Sequence, residues 1–142
     1  MIAKLATRAA TRVHVPPSEI MDRLWRFFDE RLAALERAGV ARGRLILDPG
    51  MGFFLGTDPQ TSFTVLRRLG ELKLRYGLPV LVSVSRKSFL QKITGKSAEQ
   101  AGPASLAAEL YAVRQGASYI RTHSPGPLRD ALAAEAALSA GS

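Results

Sequence analysis

"PVLVSVSRKSFL", residues 79–90, runs from an apolar segment directly into hydroxyl and cationic side chains. The first half is rich in β-branched residues, among them Val80, Val82 and Val84, which is typical of a strand buried in a parallel sheet. Arg86 and Lys87 then follow with no spacer. Because two cations cannot enter an apolar core at low cost, this transition predicts that the strand ends at an accessible rim.

Two further segments repeat this pattern, and helices separate them. "RLILDPG" (44–50) and "ASYIRTH" (117–123) predict short strands. The spacing of apolar residues predicts helices over 18–39, 62–76, 104–115 and 125–140, with a short helix possible in the loop 86–103. The strands begin about 35 residues apart, the size of a strand–helix–strand crossover unit. The sequence therefore predicts an α/β fold with parallel strands covered by helices.

The domain organisation follows from the same pattern. Residues 1–15 show little periodicity and are expected to form an irregular N-terminal segment, whereas residues 16–142 form one domain. No apolar run approaches the ~20 residues that span a bilayer, and no secretory h-region is evident, so a cytoplasmic location without membrane contact is expected. With zero cysteines, disulfides, thiolate metal sites and thiol catalysis are excluded.

The charge of the chain is strongly positive. Twenty basic and twelve acidic residues give a net charge of +8 and a pI near 10.6, which first suggests a nucleic-acid partner. The basic residues are spread along the chain, however, and its few aromatic residues form no stacking motif. We therefore expect no nucleic-acid partner, and anionic small-molecule substrates explain the cations at the strand ends.

All three predicted strands end in groups that can do chemistry. Because carboxyl ends of neighbouring parallel strands share one rim, these groups are expected to lie together. They are Asp48 after the first strand, Ser85, Arg86 and Lys87 after the second, and Arg121 and His123 after the third. The sequence therefore predicts one rim that gathers a carboxylate, a hydroxyl, an imidazole and three cations.

Each of these residues also has a structural interpretation. Asp48 before Pro-Gly can simply build a turn, the Arg86–Lys87 pair can begin a solvated loop, and His123 can be a structural hydrogen-bonding group. The agreement of three strand ends favours a functional site. The glycine-rich "DPGMGFFLG" (48–56) allows close approach of a ligand but lacks the P-loop lysine. His14 has no metal-ligand partner at useful spacing and is expected to lie on the surface, and Glu109, in a helix interior, is expected to be structural.

Taken together and in this order, "LILDPGMGF" (45–53), "LVSVSRKSF" (81–89) and "GASYIRTH" (116–123) resemble the dihydropteroate synthase family of the folate pathway. The resemblance runs from about residue 16 to residue 138. The "SRKS" and "RTH" motifs are specific to this family, whereas Asp-Pro-Gly is shared with other pterin-binding proteins. Such proteins include corrinoid-dependent pterin methyltransferases, whose chemistry needs no cations for pyrophosphate.

The resemblance implies a transferase with a TIM-barrel fold. Such an enzyme joins p-aminobenzoate to a dihydropterin pyrophosphate and releases pyrophosphate with the help of Mg²⁺. By position, Asp48 and Lys87 match residues that bind the pterin, and Phe53 lies near both substrates. Arg121 matches a residue beside the pterin ring that, with His123, holds the leaving pyrophosphate. Ser85 and Arg86, with Phe53, correspond to the p-aminobenzoate side, where sulfonamides compete; Lys87, Arg121 and His123 are the expected catalytic residues.

The resemblance covers part of a barrel. A complete (β/α)₈ barrel takes ~250 residues, and the predicted elements correspond to the last three β/α units plus a preceding helix. The family's Mg²⁺-binding asparagine and mobile catalytic loops belong to the units without a counterpart here, so no metal ligand is expected in this chain. Ser124 stands where the family usually has an acidic residue.

These departures lead to two expectations. The chain alone is expected to be weak or inactive as an enzyme, and to form a homo-oligomer or to associate with a chain that carries the missing half. The alternative function is a non-catalytic module that binds a pterin or a partner protein.

Overall fold

Four short strands alternate with helices along the chain. The computed structural model describes residues 2–4, 15–52 and 55–140. The strands are β1 (Ile2–Lys4), β2 (Ile46–Asp48), β3 (Leu81–Val82) and β4 (Tyr119–Ile120). The helices are α1 (Ile20–Arg37), α2 (Pro59–Arg67), α3 (Leu69–Tyr76), α4 (Ser88–Thr94), α5 (Gly102–Arg114) and α6 (Pro125–Ser139), with one 3₁₀ turn at Arg42–Arg44. In the part of the chain so described, no helix is long and apolar enough to cross a membrane.

The strands are parallel, as the sequence predicts. β1 pairs with β2 and β3 pairs with β4. A parallel bridge between Leu47 and Val80 joins the two pairs, and the Leu47 amide donates to the carbonyl of Pro79 at 2.9 Å. The strands thus follow one another across the sheet in chain order, which places all four carboxyl ends on one rim.

One element was not predicted. The segment 1–15 was expected to be irregular, but residues 2–4 form β1, with Ile2 opposite Ile46 and Lys4 opposite Asp48. Three residues are too few to show a hydrophobic period, and this strand is defined by backbone pairing. Residues 5–14, with His14, lie outside the described part. Because β1 precedes α1 in the chain, these two elements form a fourth β/α unit in addition to the three that were predicted.

The helix predicted over 62–76 is in fact two helices. α2 begins earlier, at Pro59, because the Asp58 carboxylate accepts from the Gln60 amide at 2.8 Å and caps it. Arg68 leaves the helical conformation and separates α2 from α3. Glu19 occupies the N-cap position of α1, and its side chain makes no capping hydrogen bond. The short helix expected in the loop 86–103 is α4.

The core lies between the sheet and one face of α1. On α1, Ile20, Leu24, Phe28 and Leu32 are buried at the helical spacing that the sequence shows. Burying side chains of this size stabilises the fold by about 1.5–3 kcal/mol each. The sheet and the neighbouring helices contribute further core residues, among them Leu45, Leu47, Leu69, Leu72, Val80, Val82 and Val84.

A polar contact joins α3 to α1 at the edge of this core. The Tyr76 hydroxyl donates to Asp29 Oδ1 at 2.8 Å and lies 3.1 Å from the carbonyl oxygen of Trp25. Arg75 donates to the other oxygen of Asp29 at 2.9 Å. Burial, together with the bond to Asp29, raises the pKa of Tyr76 to about 12, so the hydroxyl remains a donor at neutral pH.

We expect Tyr76→Phe to lower the free energy of unfolding by about 1 kcal/mol, because Asp29 loses a donor that is shielded from water. Urea unfolding followed by circular dichroism measures this change. Tyr119→Phe is the matched control, since Tyr119 is half exposed on β4. Equal losses in the two variants would contradict a specific role for the Tyr76 contact.

Candidate active site

The end of β2 presents a buried carboxylate. Asp48 is 2% exposed, and its Oδ1 accepts from the Gly50 amide at 2.9 Å. The carboxylate therefore forms the turn that its position before Pro-Gly allows. This bond also fixes the direction in which the side chain leaves β2, next to the Lys4 position of β1.

The glycine-rich loop after β2 runs close to the end of β3. Gly52 has φ +85, and a Cβ at this position would lie 3.2 Å from Lys87 Cδ. The loop can pass the aliphatic part of Lys87 because residue 52 has no side chain. Lys87 is half-buried here. Phe53, a predicted site residue, lies outside the described residues.

Two serines connect the ends of β3 and β4. Arg121 Nε donates to Ser83 Oγ at 3.3 Å. Ser85 Oγ lies 3.0 Å from His123 Nδ1 and accepts from the His123 amide at 3.3 Å. A hydroxyl that accepts from the amide can give its own proton to Nδ1, which leaves Nε2 as the protonated ring nitrogen.

Arg86 has an unusual backbone conformation. It is the one non-glycine residue with positive φ (57°) in the described part of the chain. Its amide donates to Ser105 Oγ at 2.9 Å, and its carbonyl accepts from Gln91 Nε2 at 3.0 Å. A non-glycine residue in this region costs about 1–2 kcal/mol and is common at functional sites. The reversal lets an exposed Arg86 stand between buried Ser85 and half-buried Lys87.

A cavity of about 300 Å³ lies between these strand ends and the N-terminal parts of α5 and α6. Its walls include Ser85, Arg86, Ser105, Glu109 and Thr122. Glu109, which was expected to be structural, is 2% exposed and has one oxygen, Oε1, with no hydrogen-bond partner among the described residues. Burial raises the pKa of Glu109, although the bond from Thr122 and the charge of His123 act in the opposite direction.

The structure thus brings most of the predicted residues to one rim. Contacts connect Lys87 to the loop after Asp48, and they connect Arg121 and His123 to the serines of β3. The sequence interpretation missed Ser83, Ser105 and Thr122. One signal was available, since Ser105 and Glu109 are four residues apart and share a helix face. Within residues 15–52 and 55–140, no group of three acidic or histidine side chains is placed to hold a metal ion.

Comparison with known proteins identifies relatives of this chain. A family model described as pterin binding enzyme matches residues 1–123. Dihydropteroate synthase type-2 of Escherichia coli is 59% identical over 129 residues, which are 91% of this chain and 48% of that protein. Dihydropteroate synthase type-1 of Escherichia coli is 56% identical over 128 residues, 90% of this chain and 45% of that protein. The resemblance inferred from the three motifs is confirmed.

Solved structures give the same result. Xanthomonas albilineans dihydropteroate synthase with 4-aminobenzoic acid matches with a TM-score of 0.82 and 35% identity, over 91% of this chain and 46% of that one. The Yersinia pestis enzyme with a pterin–sulfa conjugate matches with a TM-score of 0.79 and 31% identity, over 91% and 51%. The predicted partial barrel is confirmed, and the chain spans about half the length of the curated relatives it matches.

We expect the difference in folding stability between Glu109→Gln and the wild type to shift in favour of the variant as pH rises above 4.5. Because the folded-state pKa is raised from its ordinary value of 4.5, the wild type loses stability as pH rises through the folded pKa. The glutamine variant has no such loss. The measurement is the difference in melting temperature between pH 4 and pH 8.

Glu71→Gln is the control for that series, and its stability relative to the wild type is expected to change with pH in the opposite direction. The bond from Arg68 lowers the pKa of Glu71, so its contribution is present at neutral pH and is lost as pH falls. Parallel pH profiles for the two variants would show that burial does not determine the behaviour of Glu109.

Proposed function

This chain belongs to the family of pterin-binding enzymes, and we propose that its rim is part of a dihydropteroate synthase site. The reaction joins the amine of p-aminobenzoate to the carbon of a dihydropterin that bears pyrophosphate, in folate biosynthesis. The new C–N bond forms, the C–O bond to pyrophosphate breaks, and the amine loses a proton. The observation that carries the proposal is the convergence of a buried carboxylate and fixed cations at the ends of β2, β3 and β4.

The pterin side of the site is assigned to Asp48 and Lys87, beside Phe53 and Arg121. The edge of a pterin presents a ring N–H and an amino group, and a carboxylate can accept from both. Burial of Asp48 at 2% exposure favours such a pairing, because water competes poorly there. Lys87 passes Gly52, so its ammonium is directed by the loop that follows Asp48.

The leaving group is assigned to Arg121 and His123. Pyrophosphate departs with several negative charges. The Arg121 cation and the ring N–H of His123, which are already in place, stabilise the charge that develops in the transition state. The bonds to Ser83 and Ser85 support this role, since they hold both side chains on the rim before any substrate arrives. Lys87, Arg121 and His123 are the proposed catalytic residues.

The p-aminobenzoate side is assigned to Ser85, Arg86 and Phe53. The Ser85 hydroxyl already bonds His123, so its part is to orient the imidazole at the junction of the two substrates. Arg86 has an exposed side chain suited to a benzoate carboxylate. Sulfonamides are expected to compete at this position. Mg²⁺, which the family resemblance implies, has no ligand set among the described residues, so groups elsewhere would have to hold it.

A second candidate function is binding without turnover. The chain spans about half the length of its relatives, so the rim carries the residues of four β/α units. A module of this kind would bind the pterin or a partner protein and release no pyrophosphate at any protein concentration. Pyrophosphate release that depends on p-aminobenzoate, and that Lys87→Ala abolishes, would exclude this alternative.

We expect calorimetric titration with a dihydropterin pyrophosphate analogue to show binding that Lys87→Ala and Arg121→Ala each weaken at least about tenfold. Each variant removes a charge-assisted contact of about 1.5–3 kcal/mol. Arg129→Ala is the control, because Arg129 is exposed on α6 and does not line the cavity at the rim. Unchanged affinity in both rim variants would refute the assignment of the site.

Gly52→Ala tests, in the same titration, whether the contact with Gly52 directs the side chain of Lys87. The new Cβ would press on Lys87 Cδ, so the affinity is expected to fall several-fold. Gly39→Ala is the matched control, since Gly39 has nearly the same φ (+82) but nothing within 4 Å of an added Cβ. Both variants are expected to lose about 1 kcal/mol of stability from the backbone alone. Equal affinities would contradict the proposed contact.

We further propose that this half barrel associates, either with a second copy or with a chain that supplies the first half of a barrel. Within the described residues, β4 is paired along one edge, and Tyr119 on it is half exposed. Open strand edges favour pairing with another chain.

Light scattering is expected to show a dimer or larger species. Adding the first half of the Escherichia coli type-2 relative is expected to form a 1:1 complex with increased pyrophosphate release. A monodisperse monomer that also does not bind the added first half would overturn this proposal.

A further inference from the structure

Helix α5 turns one face toward both strand ends that carry cations. Ser105 and Glu109 lie one turn apart on this face, with 5% and 2% of their surfaces exposed. Both line the cavity behind the rim. One contacts the segment after β3, and the other contacts the segment after β4.

Ser105 holds the segment after β3. Its hydroxyl donates to the carbonyl of Ala101 at 2.6 Å and accepts from the Arg86 amide at 2.9 Å. A hydroxyl has one proton, and Ser105 donates it to Ala101. The direction of this bond fixes the orientation of the oxygen lone pair that accepts from the Arg86 amide. The bond therefore helps to stabilise the positive φ of Arg86, on which the directions of Ser85 and Lys87 depend.

Glu109 holds the segment after β4. Glu109 and Thr122 line the same cavity, and the interactions of the Glu109 carboxyl group with Thr122 and His123 oppose the rise of its pKa on burial. Thr122 Oγ1 in turn accepts from the Ser124 amide at 3.0 Å, where α6 begins. Since Thr122 lies between Arg121 and His123, a carboxyl group that fixes Thr122 also limits the movement of both.

The second oxygen of Glu109 argues against a simple packing role. Oε1 is buried on the cavity wall without a hydrogen-bond partner among the described residues, and such a group costs about 1–3 kcal/mol. An apolar side chain of similar size would fill the space without this cost. What Glu109 offers and an apolar residue would not is an acceptor for Thr122.

We infer that Ser105 and Glu109 are positioning residues that set the separation between Lys87 after β3 and Arg121 after β4. This inference rests on the proposed function, because one ligand, the dihydropterin pyrophosphate, would contact Lys87 through its pterin and Arg121 through its pyrophosphate. Neither residue needs to contact the ligand. Each acts through the backbone or the side chain of a rim residue.

The test compares disruptive and conservative variants of the full chain, with the dihydropterin pyrophosphate analogue as the calorimetric probe. Ser105→Ala and Glu109→Leu remove the acceptors, whereas Ser105→Thr and Glu109→Gln retain them. We expect the first pair to lower the affinity about three- to tenfold and the second pair to restore most of it. Melting temperatures show whether each variant is folded.

Amide hydrogen exchange without ligand separates this inference from the proposed function. Ser105→Ala is expected to speed exchange at Arg86, and Glu109→Leu at Ser124, while the conservative variants stay close to the wild type. If the wild type does not bind the dihydropterin pyrophosphate analogue, the proposed function fails, and faster exchange at these two amides still supports the positioning role. Unchanged exchange in folded disruptive variants, or equal losses in conservative and disruptive variants, would overturn it.

Discussion

The register between β3 and β4 is the constraint on which the rim depends. Leu81 lies opposite Tyr119, an offset of 38 residues, and the same offset separates Ser83 from Arg121 and Ser85 from His123. Regular backbone pairing ends after two residue pairs, so the serine side chains continue the alignment into the segments that carry the functional groups. A shift by one residue would turn Arg121 and His123 away from these serines.

Charge distribution complements this alignment. Most arginines with described partners form exposed ion pairs, such as Arg68 with Glu71 and Arg42 with Glu36, which contribute little to stability. The rim differs because its cations are directed by neutral hydroxyls. A hydroxyl orients an arginine without neutralising it, which leaves the positive charge available to an anion. Glu109, a deeply buried carboxyl group among the described residues, lies behind the rim.

Much of this arrangement could be predicted from the sequence, because it depends on local patterns. The transitions from apolar to polar residues at Asp48, Ser85 and Arg121 mark strand ends, and parallel topology then places them together. β1 could not be predicted, because backbone pairing with β2 defines it and its three residues show no period. The positive φ of Arg86 also could not, since it depends on Ser105 and Gln91 from other elements.

The spacing of the strands has a consequence for how the chain folds. The pairs Ile2–Ile46, Leu47–Val80 and Leu81–Tyr119 close segments of 44, 33 and 38 residues. Loop-closure entropy grows so slowly with length that these closures differ by less than about 0.3 kcal/mol. No strand pairing is therefore favoured first by chain entropy, and each β/α unit can add to whichever neighbour has already formed. Assembly becomes modular, in the manner of a repeat protein, so the order of folding is decided by the stability of individual interfaces.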